Sequence, residues 1–232
     1  MTYVMSDIHG HYDKFLALLD MINFTNEDTM IIIGDVIDRG PSGISMLQDI
    51  MSRKNVVMTM GNHELMMLES LLGSGDEHQQ KCAENWIQVN GGHATMLELD
   101  PMSDEEVMKI LEFIIKLPTA IDLELGDRKF HLVHAWPCED CYDALWIRPE
   151  IDTPSPLTKD ITLIIGHTPV MFLHAKNDDE LTDYVESVQN SGDHLKIEHC
   201  NGWIDLDCGA GQDLPISRVA CLRIDDMAEF YV

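Results

Sequence analysis

The chain has 232 residues, 45% of them hydrophobic and 24% charged, proportions of a globular protein long enough to bury a substantial core. Its 41 Asp and Glu outweigh 15 Lys and Arg, for a formal net charge of -26. This argues against nucleic acid and anionic membranes as partners, because both are bound through Lys and Arg neutralising phosphate.

In chain order, Tyr3 to Met5 reads as a short strand and His11 to Ile22 as a helix, with Phe15, Leu18, Leu19 and Ile22 at helical spacing. Thr29 to Ile33 is a continuous apolar strand, suited to a buried central place. Ser42 to Ser52 is a second helix and Val56 to Met60 a third strand. This βαβαβ order predicts a parallel core with right-handed crossovers and a ligand site beyond the carboxyl ends of its strands. His63 to Leu72 and Gln79 to Val89 read as helices, stopped by Asn90-Gly91-Gly92. Ser103 and Glu106 form a capping box that opens a helix to about Lys116. Ala120 to Leu125 and Lys129 to Val133 make a hairpin about Gly126-Asp127. Thr162 to Ile165, Ile204 to Leu206, Arg218 to Ile224 and Glu229 to Val232 complete a β half. We expect one domain over 1–232, with a helical cap about 64–117. The acidic stretch about 175–200 reads as a surface insertion or extended hairpin.

The chain enters its first strand within six residues of Met1, with no basic leader and no run near the roughly 18 apolar residues of a membrane span, so a cytoplasmic location is expected. The six cysteines show no regular framework and read as reduced thiols. Cys138 and Cys141 stand at CxxC spacing but lack the second half of a zinc site.

Three motifs follow the first three strands: Ser6-Asp7-Ile8-His9-Gly10, Gly34-Asp35-Val36-Ile37-Asp38-Arg39-Gly40 and Gly61-Asn62-His63-Glu64. His134 and His167 follow later apolar strands, in Leu132-Val133-His134-Ala135 and Gly166-His167-Thr168-Pro169. Asp7 and His9 share one face if the backbone there is extended. Asp35 could bridge two ions, and Asn62 offers an amide oxygen. A mixed oxygen and nitrogen set without thiolate suits Mn, Fe, Zn or Ni. Two adjacent ions can activate water and clamp an oxyanion. His63 is placed to donate a proton to a leaving oxygen, with Asp38 orienting it and keeping it charged. Arg39 and Arg148 are candidates for a phosphate clamp. His131 is read as a packed or surface histidine.

These motifs resemble the metallophosphoesterase (calcineurin-like) superfamily, and within it the phosphoprotein phosphatase branch in its short bacterial and bacteriophage lambda form. The family pattern is GDxHG, GDxxDRG, GNHE, HA and GHTP. Ser6 replaces the leading Gly, and Trp86 with Asn90-Gly91-Gly92, Trp146-Ile147-Arg148 and Asp207-Cys208-Gly209-Ala210 are further echoes. The resemblance implies an α/β fold, a two-sheet β-sandwich flanked by helices, with a dimetal site on loops at strand ends. It implies that Asp7, His9 and Asp35 hold one ion, and Asp35, Asn62, His134 and His167 the other, Mn2+ first among the metals. A bridging hydroxide would attack phosphorus in line, Arg39 and Arg148 would bind the phosphoryl oxygens, and His63 with Asp38 would protonate the leaving group. The implied activity is a serine/threonine protein phosphatase on phosphoprotein or phosphopeptide substrates, with a monomer favoured. The alternative is a symmetrical bis(5'-nucleosyl)-tetraphosphatase, whose usual motifs lack the Asp-Arg pair and end the third motif in Asp. A non-catalytic binding module is a remote third reading. Cys208, beside the site, is an expected target of oxidation.

Overall fold

The computed structural model describes residues 1–140 and 142–232, and of His78 only the backbone. Cys141 lies outside the described residues, so the CxxC pair is represented by Cys138 alone, whose exposed thiol donates to the Asp140 carbonyl.

Strands β1 (Thr2–Met5), β2 (Thr29–Ile32) and β3 (Val56–Met58) pair in parallel, with Val4 opposite Ile31 and Ile31 opposite Val57. Helices α1 (Tyr12–Met21) and α2 (Gly43–Ser52) make the crossovers. Strands β9 (Ala220–Arg223) and β10 (Ala228–Tyr231) extend this sheet antiparallel from the β1 side, giving the order β10-β9-β1-β2-β3. A second sheet has the order β4-β5-β6-β8-β7: β4 (Ala120–Leu125), β5 (Arg128–Val133), β6 (Ile161–Ile165), β7 (Glu198–His199) and β8 (Trp203–Asp205). Within it β5, β6 and β8 are parallel.

The two sheets face each other. Val4, Ile31, Ile33 and Leu222 of the first pack with Leu132, Ile164, Ile204 and Leu206 of the second. Each such side chain contributes roughly 1.5–3 kcal/mol on leaving water. The outer face of the first sheet is covered by α1, α2, α3 (Asn62–Leu72) and α6 (Asp104–Ile115), through Phe15, Leu18, Leu47, Met67, Ile110 and Ile114. Between α3 and α6 run α4 (Glu77–Gln88) and α5 (Gly92–Leu99). The Ser103–Glu106 capping box forms, with the Glu106 carboxylate accepting the Ser103 amide at 2.9 Å.

Three elements differ from the sequence reading. Gly92–Leu99 is helical, although Asn90-Gly91-Gly92 reads as a stop. Gly91 takes φ +87°, which lets α4 end and α5 begin at once. Val170–Leu173 adds a one-turn helix, α7, after Pro169. The acidic segment forms helix α8 (Asp178–Ser191), capped by Asn177, instead of an extended hairpin. Its apolar residues Leu181, Tyr184, Val185 and Val188 recur at helical spacing and pack on the inter-sheet core. The surrounding acidic residues obscured that stripe.

Candidate metal centre

The carboxyl ends of six parallel strands, β1, β2, β3, β5, β6 and β8, point to one end of the sandwich. The loops that leave them carry every metal-ligand candidate. Asp7, His9, Asp35, Arg39, Asn62, His63, Arg148 and His167 line one cavity of about 130 Å³, room for several water-sized groups. His134 lies fully buried beneath its wall. Asn90, Trp146, Pro169, Asp207 and Gln212 complete the lining.

The turns into this cavity are tight. Asp7, His9, Asp35, Asp38, Arg39 and His167 all have φ between +46° and +70°, six of the nine described non-glycine residues with positive φ. Such backbone costs of order 1–3 kcal/mol per residue and clusters at functional sites. It also corrects the premise that Asp7 and His9 share a face through an extended backbone. Both are left-handed, and both side chains reach the cavity through a turn. Gly166 permits the close approach of the β6 loop, since a Cβ there would stand 2.2 Å from Asp7 Oδ2.

Three imidazoles share one arrangement. His9 Nδ1 donates to the Ile37 carbonyl at 3.1 Å, His134 Nδ1 to Ile33 at 2.8 Å, and His167 Nε2 to Trp146 at 3.1 Å. The second nitrogen of each is turned toward ligand candidates. Burial lowers the pKa of all three, His167 to about 2, so these nitrogens carry lone pairs. His134 Nε2 and His167 Nδ1 lie 2.8 and 2.9 Å from Asn62 Oδ1. His134 Nε2 is also 3.4 Å from Asp35 Oδ1, and His9 Nε2 is 3.6 Å from Asp35 Oδ2. Acceptors therefore converge without protons between them, which divalent cations resolve. Backbone carbonyls fixing the far nitrogen are the usual support of metal-binding histidines. The donor set fits the expected ions.

Two groups of donor atoms each lie within 4.8 Å of one another: His9, Asp35 and His63, and Asp35, His134 and His167. Asp35 belongs to both, as a bridging ligand would. His63 differs from the other imidazoles in its bonds. Its Nδ1 is 2.7 Å from Asp38 Oδ2, and its Nε2 is 3.2 Å from Arg39 Nη2, whose N–H donates to it. Burial lowers the His63 pKa despite the opposing pull of Asp38, so in this state the ring is neutral rather than held charged. Asp7 Oδ2 accepts the His167 amide at 2.9 Å and the Ser6 hydroxyl. Ser6 needs no unusual backbone and adds a bond a glycine could not make.

Several contributors carried no expected role. Buried Glu64 accepts the amides of Asp35 and Val36, both at 2.9 Å, and Gly61 at 3.1 Å, tying the second and third motifs together. Its place three residues after Gly61 is a capping-box spacing, the signal that could have found it. Trp86 Nε1 donates to Asp38 Oδ2 at 2.7 Å and Thr95 Oγ1 to Asp38 Oδ1 at 2.5 Å. Arg148 is exposed at the rim, its guanidinium 5.6 Å from the Phe172 ring centroid. His131 pairs with Asp122 on the surface. Cys208 is 2% exposed, and burial pushes its thiol up, which makes it inert rather than prone to oxidation. Among the described residues no helix is long and apolar enough to cross a membrane.

Comparison with known proteins agrees with this geometry. The symmetrical bis(5'-nucleosyl)-tetraphosphatase of Salmonella paratyphi B is 39% identical over 74 residues, 31% of this chain and 26% of the relative. The match thus spans about a quarter of that protein's own length. A metallophosphoesterase from Sphaerobacter thermophilus shares the fold at TM-score 0.55 and 16% identity, covering 100% of this chain and 87% of the other. A serine/threonine phosphatase from Saccharomyces cerevisiae with similarity to human PP5 does so at TM-score 0.53 and 13% identity, covering 100% and 78%. The model of the calcineurin-like phosphoesterase family matches residues 2–190. With its two mixed sheets flanked by helices and its histidine and carboxylate cavity, the chain belongs to the calcineurin-like phosphoesterases, hydrolases that work with divalent metal ions.

Proposed function

We propose that this chain is a phosphomonoesterase of the phosphoprotein phosphatase branch, acting on proteins phosphorylated on serine or threonine. The observation that carries the reading is the run Asp38–His63–Arg39. A buried carboxylate fixes an imidazole whose other nitrogen meets an arginine at 3.2 Å on the cavity wall. Asp38 and Arg39 form the pair that the usual tetraphosphatase motif lacks.

Asp7, His9 and Asp35 would hold one divalent ion, and Asp35, Asn62, His134 and His167 the other; the mixed set suits Mn, Fe, Zn or Ni, and the family resemblance puts Mn2+ first. When bound, the ions polarise the phosphoryl group and make water nucleophilic. The chain's own residues do the rest. Arg39 and Arg148, both on the cavity wall, bind phosphoryl oxygens. The incoming phosphate releases Arg39 from His63, and its negative charge opposes the burial that keeps His63 neutral. His63 then takes a proton from solvent at Nε2 and gives it to the leaving alkoxide, which departs as the alcohol. Asp38 steadies the imidazolium, itself held by Trp86 and Thr95. We assign these tasks to a single domain that works as a cytoplasmic monomer, with α3 to α6 as its cap and α8 as a surface insertion.

The second reading, a dinucleoside tetraphosphatase, is favoured by the Salmonella match over 74 residues. Phosphate release by the Mn2+-loaded protein from a phosphopeptide, p-nitrophenyl phosphate and diadenosine tetraphosphate separates the two. Preferred turnover of the phosphopeptide supports the first reading. Preferred turnover of the dinucleotide overturns it.

A further inference from the structure

Asp207 follows strand β8 and has no part in the roles given so far. It is 3% exposed and lines the same cavity as Asp7, His9 and Asp35. Its Oδ1 accepts the Gly209 amide at 2.8 Å. Among the described residues, no donor reaches its Oδ2 and no Lys, Arg or His pairs with it. The charged group acting on it most strongly is Asp7, another carboxylate. The two nearby guanidinium groups, Arg39 and Arg148, stand exposed at the rim. Burying an uncompensated carboxylate beside another is costly. Asparagine would make the same bond to Gly209 without that cost, so the fold alone does not call for the charge.

We propose that Asp207 is an additional anionic ligand, direct or through one water, for the divalent cation on the Asp7 side of the centre. The proposal rests on the metal reading of the cavity and is independent of which phosphoester is cleaved. Asp207 lines the same cavity as Asp7 and His9, and a cation held there would turn the repulsion between the two carboxylates into shared attraction. Asp205, two residues earlier, is equally buried, with Oδ1 accepting the Asp207 amide at 2.9 Å and Oδ2 without a partner, but it does not line the cavity and so lacks access to the cation. It is the natural control.

The test is calorimetric titration of chelator-stripped protein with Mn2+, alongside thermal melting with and without the ion. For Asp207→Asn we expect Mn2+ affinity at one site to fall about 10- to 100-fold, the range for groups that support a metal shell. The metal-free variant should melt no lower than the metal-free native protein, because asparagine keeps the Gly209 bond and no favourable charge contact is lost. A merely structural role would lower that melting point instead. Asp205→Asn keeps the oxygen that accepts the Asp207 amide and does not line the cavity, so it should leave both affinities within about twofold, well short of the loss for a group that supports the shell. Unchanged Mn2+ binding in Asp207→Asn, or equal losses in the two variants, overturns the proposal. Failure of the native protein to bind Mn2+, Zn2+ or Fe2+ would overturn the metal reading itself, a separate result.

Discussion

Asp38 Oδ2 stands 2.7 Å from His63 Nδ1, and Asp38 has no solvent exposure at all. No water competes for that carboxylate, so it fixes the tautomer of His63 and leaves Nε2 to face the cavity. His63→Asn is expected to lower kcat by about 10²- to 10⁴-fold, the usual contribution of a positioned proton donor. Metal content, measured by elemental analysis, should not change. Asp38→Asn should cost at least about 10²-fold through the wrong tautomer. Loss of metal from His63→Asn would show that His63 is a ligand, as its place 3.7 Å from Asp35 Oδ2 allows.

How much of this was legible in the sequence depended on whether a signal was local. The parallel strands were, because Met30, Ile31 and Ile32 form an unbroken apolar run bounded by turn residues. The ligand candidates were, because strand, glycine and Asp or His recur together. Glu64 as a staple was not, since its partners Asp35 and Val36 are 29 and 28 residues away and are backbone amides that leave no mark in a sequence. Thr95 was hidden likewise, 57 residues from Asp38. Trp86 gave a partial hint, because a buried indole N–H requires an acceptor. Helix α8 was missed because its acidic face masked a four-residue apolar stripe.

Glu64 has both oxygens spent on backbone amides from two loops. Glu64→Gln keeps the shape but turns one acceptor into a donor facing an amide. It should destabilise the metal-free protein by about 2–3 kcal/mol in urea unfolding. Glu64→Asp, too short to span the gap, should cost at least as much. A loss within ~0.5 kcal/mol, the level of an ordinary surface change, would refute the staple.

Arg39 holds φ +65° while its side chain lines the cavity, so its backbone is strained at the point where we place a phosphate contact. Comparing Arg39→Gly with Arg39→Ala isolates the strain, because both lose the side chain and only glycine relaxes the backbone. The Gly variant should be more stable by about 1 kcal/mol. Both should raise KM for a phosphate ester at least about tenfold, as expected for loss of a charge-assisted contact. Equal stabilities would mean that the left-handed turn costs nothing here.

Metal binding should strengthen with pH. Burial, then Asp7, raises the Asp35 carboxyl well above its ordinary 3.8, so Asp35 adds stability to the metal-free protein below that value and withdraws it as pH rises through the raised pKa. The lowered histidines have the opposite sign: their contribution is complete above 6.5 and is lost as pH falls, for His167 down to about 2. As pH falls through the raised pKa of Asp35, its proton competes with the cation for the carboxylate. Mn2+ affinity should therefore rise with pH across that range, by up to about tenfold per pH unit for each proton displaced, and the melting-point gain over chelator-treated protein should widen. Affinity independent of pH would mean that Asp35 is ionised before the metal arrives.

Cys208 and Cys138 should react oppositely. Cys208 sits between the sheets at 2% exposure, where burial and the charge of Asp207 both disfavour its thiolate. Thiolate, not thiol, is the nucleophile toward alkylating agents and peroxide. Cys138 is exposed on a loop. Iodoacetamide on the native protein should therefore label Cys138 and spare Cys208 and the equally enclosed Cys221, while all six cysteines should label in denaturant, as peptide mass analysis would read. Labelling of native Cys208 at a rate near that of Cys138 would mean that the β8 loop opens often enough to expose the centre, and Asp207 with it.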